Sequence, residues 1–318
     1  MSDTGAHSSV WSGVVVSDVV SVDGAGPVDA LLELEHVRRG GVDIALVRLN
    51  RPESLNPVDK DTIAALAWLL ETLTSQGADS GADSGVDSGV DSGVDSGVDS
   101  GVVVPDAVVL TGKGRAFSAG GDLKGYQSLY RDPERFRRFM DDFETACGLL
   151  ETAAPLSVAM VNGACVAGGL ELALACDLVT MADSARIGDG HLNFAQLPGA
   201  GSSQRLVKAL GSARASQWLL TGRLYSAGEA REAGLVALCA SEEELLEATL
   251  ELVAQTARHT PLGRAKMKKL ISIAENTPLD DGLAQEAELF FDYATTSHDA
   301  YEGLAAFAEK RPARYLGR

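Results

Sequence analysis

Apolar positions along the chain fall into two periodic patterns. Short apolar runs come first: Leu31 to His36 and Val42 to Leu49 flank Arg38-Arg-Gly-Gly41, the arrangement of a hairpin. Similar runs recur at Ala107 to Leu110, Leu156 to Val161, Leu178 to Met181 and Leu235 to Cys239, separated by helical or glycine-rich segments. Each such unit returns the chain in the same direction, so a parallel sheet in an α/β protein is predicted. The second pattern is helical. Ile63, Leu66, Leu69, Leu70 and Leu73 form a stripe, and Asn56-Pro57 ahead of it predicts a cap followed by a first helical residue. Asp132 to Thr152 predicts a long amphipathic helix with Phe136, Phe139, Met140, Phe143, Cys147, Leu149 and Leu150 inward. Beyond Ser241 the chain is nearly all helix, with Thr260-Pro261 and Thr277-Pro278 marking two starts.

Two stretches follow neither pattern. Residues 1–30 mix Gly, Ser, Val and Asp and are expected to form a mobile N-terminal tail, with Val14 to Val22 as its strand candidate. Residues 77–101 repeat Gly-Ala/Val-Asp-Ser, whose regular glycines and acids oppose helix and packed strand alike, so a solvated low-complexity insert is expected. Its aspartates lack the bidentate glutamate of an EF-hand and the nine-residue period of calcium-binding β-rolls, and no metal site is assigned. The expected division is a tail at 1–30, a core at 31–255 interrupted by the insert at 77–101, and a C-terminal helical region at 256–318.

Charge narrows the partners. The formal net charge of −18 repels nucleic acid and anionic membranes. Ten aspartates in the tail and the insert account for more than half of it, so a locally basic site for an anionic ligand remains compatible. No apolar run approaches the roughly 20 residues of a membrane helix. The N-terminus lacks the basic region of a signal peptide, and a cytoplasmic location is expected. Cys147, Cys165, Cys176 and Cys239 show no metal-ligand spacing and are expected to be reduced thiols.

Candidate chemistry concentrates in Val161-Asn-Gly-Ala-Cys-Val-Ala-Gly-Gly-Leu-Glu-Leu-Ala-Leu-Ala-Cys-Asp177. A buried strand breaks at Asn162-Gly163, and Gly168-Gly169 then open a helix whose first-turn amides have no partner inside it. With the helix dipole, those amides favour an oxygen gaining negative charge. Glu171 sits one turn in among apolar residues, where a carboxylate must be partnered or shifted in pKa. Double glycines also permit plain helix packing, so this stretch alone supports both readings. A second stretch repeats the arrangement: Ala107-Val-Val-Leu-Thr-Gly-Lys-Gly-Arg-Ala-Phe-Ser-Ala-Gly-Gly-Asp-Leu-Lys124 runs from strand through a glycine turn to a helix start at Asp122.

These stretches resemble the crotonase, or enoyl-CoA hydratase/isomerase, family. The resemblance runs from about Leu31 to the C-terminus and adds Arg51-Pro-Glu-Ser-Leu-Asn56, Leu197-Pro-Gly-Ala-Gly201 and Glu302-Gly-Leu-Ala-Ala-Phe-Ala-Glu-Lys-Arg311. It implies a β-β-α superhelix with a C-terminal helical trimerisation region, a homotrimer or dimer of trimers, and an acyl-CoA substrate. By motif position the amides of Gly121 and Gly168 form the oxyanion hole, and Glu171 matches the first of two glutamates that hydratases place about one water. The second glutamate's place is taken by His191, a group that can also give or take a proton. Asp189 either orients His191 or projects into the site itself. The resemblance further implies CoA contacts at Leu55, Ala119, Asp122, Leu123 and Lys124, with Phe307 and Lys310 enclosing the CoA of a neighbouring subunit. Asp122 also reads as a plain helix cap. The expected reaction is hydration of a 2-enoyl-CoA through a stabilised thioester enolate, with no cofactor beyond the substrate's own CoA. Hydrolysis, decarboxylation, isomerisation or carbon-carbon cleavage through the same enolate, or silent acyl-CoA binding, are the alternatives.

Overall fold

Two glycines set the first turn. Gly40 and Gly41 take φ of +59° and +86°, closing a hairpin of β2 (Leu32–Arg39) and β3 (Val42–Leu49). The structure, a computed structural model, describes residues 15–22, 31–74 and 104–318, so the repeat at 77–101 lies outside the described residues. Within the stretch expected to be a tail, β1 (Val15–Val22) pairs antiparallel with β2, which corrects the tail reading for those eight residues. The physical reason is an open ladder on β2 and a valine-rich segment suited to fill it.

From β3 the sheet turns parallel. β4 (Ala107–Gly112), β6 (Leu156–Val161), β8 (Leu178–Ala182) and β11 (Leu238–Ala240) extend it in the order β1-β2-β3-β4-β6-β8-β11. β4 and β6 are buried at every position, as expected for strands covered on both faces. β5 (Ala116–Ser118), β7 (Ala164–Val166), β9 (Arg186–Gly188) and β10 (Tyr225–Ser226) build a smaller sheet in the order β10-β9-β7-β5. The pairs β4-β5, β6-β7 and β8-β9 thus each place one strand in the large sheet and the next in the small one. That repetition is the expected β-β-α superhelix.

The helices follow the apolar spacing, with one correction at a start. α1 (Lys60–Thr74) buries Ile63, Leu66, Leu69, Leu70 and Leu73, but its first free amide, on Thr62, donates to Asp59 and not to Asn56. Asn56 is used elsewhere, as described below. α2 (Leu123–Leu129) is capped by Asp122, whose carboxylate accepts from the Lys124 amide at 3.1 Å. α3 (Pro133–Thr152) is capped by Asp132 and buries Phe139, Phe143, Cys147 and Leu150. α4 (Gly168–Ala175) is apolar all round and packs among α3, β5, β6 and β7. It is the element on which the site is built. α5 (Ser202–Leu210), α6 (Ser212–Thr221), α7 (Ala227–Glu232) and α8 (Leu245–Ala257) complete the core. α9 (Pro261–Asn276), α10 (Leu279–Thr296) and α11 (His298–Glu309) form the C-terminal helical region. No helix among the described residues is long and apolar enough to cross a membrane.

Candidate active site

Two loops and two helix starts meet at one cavity. Leu55 and Asn56 both take left-handed backbone, with φ of +60° and +53°. Asn56 holds that turn from its buried side chain: Oδ1 accepts from the Arg51 amide at 2.9 Å, and Nδ2 donates to the carbonyls of Lys113 at 3.0 Å and Ala116 at 2.8 Å. The turn in turn clamps the next loop, because Ala119 donates to the Leu55 carbonyl and Val58 donates to that of Gly120. Gly121 follows, and its amide donates to no other group among the described residues. Leu55 therefore acts through its backbone on the Gly121 loop.

At the other side, Ala167 precedes α4 with φ +52° and ψ −117°, a conformation an alanine rarely adopts. Its amide donates to the Gly188 carbonyl at 3.2 Å, and its carbonyl accepts from Glu171 at 3.0 Å, so both neighbours hold it there. Such strain costs on the order of 1–3 kcal/mol and gathers where function needs a fixed direction. It fixes the start of α4 at the cavity, where Gly168 forms part of the lining. A Cβ on Gly168 would strike Val58, so only glycine allows this approach.

Glu171 is buried, at 2% exposure, yet partnered. Its Oε1 accepts from the amides of Ala200 at 2.7 Å and Ser202 at 3.3 Å, and Arg205 secures that turn by donating to the Ala200 carbonyl. Burial still raises its pKa, against the charge of His191 and the two amides. His191 is half-buried opposite, and its Nδ1 meets Asp189 Oδ1 at 3.0 Å. A neutral His191 therefore carries its proton on Nδ1 and leaves Nε2 as the free nitrogen. Burial opposes the imidazolium, but the hydrogen bond and charge of Asp189, with the charge of Glu171, raise its pKa on balance. Asp189 also accepts from the Ser202 hydroxyl. Burial works against its charge, yet the bonds from His191 and Ser202 hold its carboxyl below the usual range. Of the two expectations for Asp189, the structure bears out the orienting one.

The cavity, about 180 Å3, is lined by Ala119, Gly121, Leu123, Gly168, Glu171 and His191 among the expected residues. The rest of its wall includes Tyr126 from α2, Tyr130 just after it, Phe136, Phe139, Met140 and Phe143 from α3, and Phe194, Gln196 and Leu197. Helical spacing had put the α3 residues in the core, and they do pack there, but one edge of that stripe faces the cavity. Leu55, Asp122, Lys124, Phe307 and Lys310 do not line it. Asp122 caps α2, Lys124 and Lys310 are exposed, and Phe307 on α11 is 86% exposed. The amides of Ala200 and Ser202 are the functional groups the sequence reading left out; the Leu197-Pro-Gly-Ala-Gly201 motif was their signal. No cluster of three or more His, Cys, Asp or Glu able to hold a metal occurs among the described residues.

Known proteins similar to this chain are numerous. The family model for enoyl-CoA hydratase/isomerase matches residues 104–318. A probable enoyl-CoA hydratase of Mycobacterium tuberculosis is 32% identical over 279 residues, covering 86% of this chain and 95% of that protein. The 2,3-dehydroadipyl-CoA hydratase of Escherichia coli is 35% identical over 210 residues, or 66% of this chain and 80% of that one. Among solved structures, an enoyl-CoA hydratase of Geobacillus kaustophilus superposes with a TM-score of 0.73 at 31% identity, covering 90% of this chain and 98% of its own. With the paired glycine turns, the β-β-α superhelix and these relatives in agreement, the chain belongs to the enoyl-CoA hydratase/isomerase, or crotonase, family.

Proposed function

We propose that the protein hydrates a 2-enoyl-CoA thioester, with the amides of Gly121 and Gly168 receiving the thioester oxygen. The observation that carries this reading is the meeting of Glu171 and an Asp189-held His191 at the same cavity as both glycines. Glu171 takes a proton from water as the oxygen adds to the β-carbon. Negative charge moves to the thioester oxygen, where preorganised amides are most effective in a water-poor cavity. The raised pKa of His191 favours imidazolium, whose Nε2–H delivers a proton to the α-carbon. Solvent exchange then resets Glu171 and His191. Acid, base and oxyanion donors all belong to the chain, so the reading calls for no cofactor besides the CoA carried by the substrate.

Lys124 and Lys310 lie at the surface, where flexible ammonium groups suit CoA phosphates. The exposed apolar residues of α9, α10 and α11 support a homotrimer or a dimer of trimers in which Phe307 and Lys310 reach a neighbour's ligand. A cytoplasmic location is proposed with this reading, from the similarity to bacterial enoyl-CoA hydratases. A turnover screen of crotonyl-CoA, longer and aromatic enoyl-CoAs and β-hydroxyacyl-CoAs, read by gain or loss of one water in mass, tests the reaction. Hydration of at least one enoyl-CoA is expected. Conversion only to free acid, CO2 or cleavage products would replace hydration by another enolate reaction.

A further inference from the structure

The reaction above leaves the hydroxyl of Tyr126 without a task, and its surroundings set it apart. Tyr126 lies in the first turn of α2 and lines the cavity. Its phenol oxygen rests against Gly121, so closely that a Cβ on that glycine would collide with it. Neighbouring rings fix its position, Tyr130 at 5.7 Å and Phe139 at 5.8 Å between centroids. Its one acceptor among the described residues, the Val58 carbonyl, is 3.5 Å away. An O–H···O bond is normally about 2.5–3.0 Å, so the donor is not properly satisfied within the protein. A partly buried donor left so is unfavourable until something completes it. Burial, with the Tyr130, Glu171, Asp59 and Asp122 charges in support, raises its pKa, so the group stays a neutral O–H donor.

We propose that the Tyr126 hydroxyl donates a hydrogen bond to the thioester oxygen of the bound acyl group, beside the amides of Gly121 and Gly168. This rests on the reading that an acyl-CoA thioester fills the cavity. The contact with Gly121 places the donor at that end of the cavity, and the thioester oxygen is the acceptor that gains charge there. The proton stays on the phenol throughout. Tyr126 is then a third donor supplied by a side chain, where the other two are fixed by the backbone.

Tyr126→Phe keeps the ring and its packing and removes the donor alone. The probe is 4-dimethylaminocinnamoyl-CoA, whose absorption moves to the red as its carbonyl is polarised. The native protein is expected to shift the bound probe, and Tyr126→Phe to shift it less. On an enoyl-CoA that is turned over, kcat should fall roughly a hundredfold, the lower end of the range seen when one oxyanion donor is removed, while KM changes by less than about threefold. Tyr225→Phe, at a buried tyrosine stacked on Trp218 and outside the cavity lining, is the control and should keep the full shift. A full red shift in Tyr126→Phe overturns the proposal, whatever happens to kcat, and so does the absence of any shift in the native protein. A shift that depends on Tyr126 in a protein that hydrates no enoyl-CoA upholds the donor and removes the hydratase reading.

Discussion

In α4 seven of eight residues are buried, whereas α9 and α10 bury none of their residues within the single chain. Yet the latter pair carries Met267, Ile271, Leu283, Phe290 and Phe291, each more than half exposed, and α11 adds Tyr301, Leu304 and Phe307. Both regions have apolar helices, but only α4 finds its partners inside the chain. In the core, even the charged Glu171 and Asp189 are enclosed and hydrogen-bonded. In the C-terminal helices, large side chains meet solvent. Exposed apolar area on that scale marks an interaction surface. The difference separates what the chain completes by itself, the cavity around Glu171, from the face that the proposed assembly would cover.

The sharpest way to break this comparison is at Glu171. Glu171→Gln should lower turnover by about a hundred- to ten-thousandfold while CoA-ester binding by calorimetry is retained. Stability should move the other way. The folded pKa of Glu171 lies above its unfolded value, so the native state loses stability as pH rises from the unfolded pKa through the folded one. Glutamine carries no such cost, and its oxygen can still accept from Ala200 and Ser202. At neutral pH the melting temperature should be unchanged or higher. A large drop in melting temperature would show that Glu171 is a structural carboxylate, and full activity would remove the proposed site.

The second test is on the other region. Phe290→Asp places a charge in the exposed face of α10, and its effect on the isolated fold should be small because the residue is 65% exposed. Central aromatic residues of an interface commonly contribute about 2 kcal/mol or more, so light scattering should report a loss of mass toward the monomer. Unchanged mass would mean that this face is not the assembly surface.

Much of this was legible in the chain, and the exceptions share a cause. Strands β4, β6 and β8, the cap at Asp122, the helix of α3, and the glycine turns at Gly121 and Gly168 depend on local spacing, which sequence displays. Asn56 looked like a cap before Pro57, but contacts with Lys113 and Ala116, more than fifty residues away, hold it left-handed. The amides that hold Glu171 come from about thirty residues downstream. The periodicity of α3 located its apolar face, but not that one edge of it borders a cavity. Strand β1 was only an option in the sequence because its pairing depends on the free edge of β2.

Asp189→Asn probes the core region more gently. Its charge and hydrogen bond raise the pKa of His191, so their weakening should let the imidazole lose its proton at lower pH. The fall of kcat at the alkaline side should therefore begin at lower pH than in the native enzyme. Turnover should drop by roughly tenfold, a fraction of what a complete acid-base group supplies. A pH profile that does not move would leave Asp189 a structural partner of Ser202 alone.

The smallest expected effect separates stability from chemistry within one cavity wall. Asp132 caps α3 by accepting from the Arg135 amide at 3.0 Å, and α3 carries Phe136, Phe139, Met140 and Phe143 to the cavity. Replacing such a cap by alanine costs about 1 kcal/mol. In a chain of this size that is a fall of about 1–2 °C in melting temperature. The cap sits at the outer end of the helix, whereas Phe139 and Phe143 are held by core packing one to three turns further on. Asp132→Ala should therefore lower the melting temperature without changing kcat/KM by more than about twofold, since no transition-state contact is removed. A larger loss of kcat/KM than of stability would mean that the first turn of α3 moves with the ligand, and that the aromatic wall is adjustable where the packing around α4 is fixed.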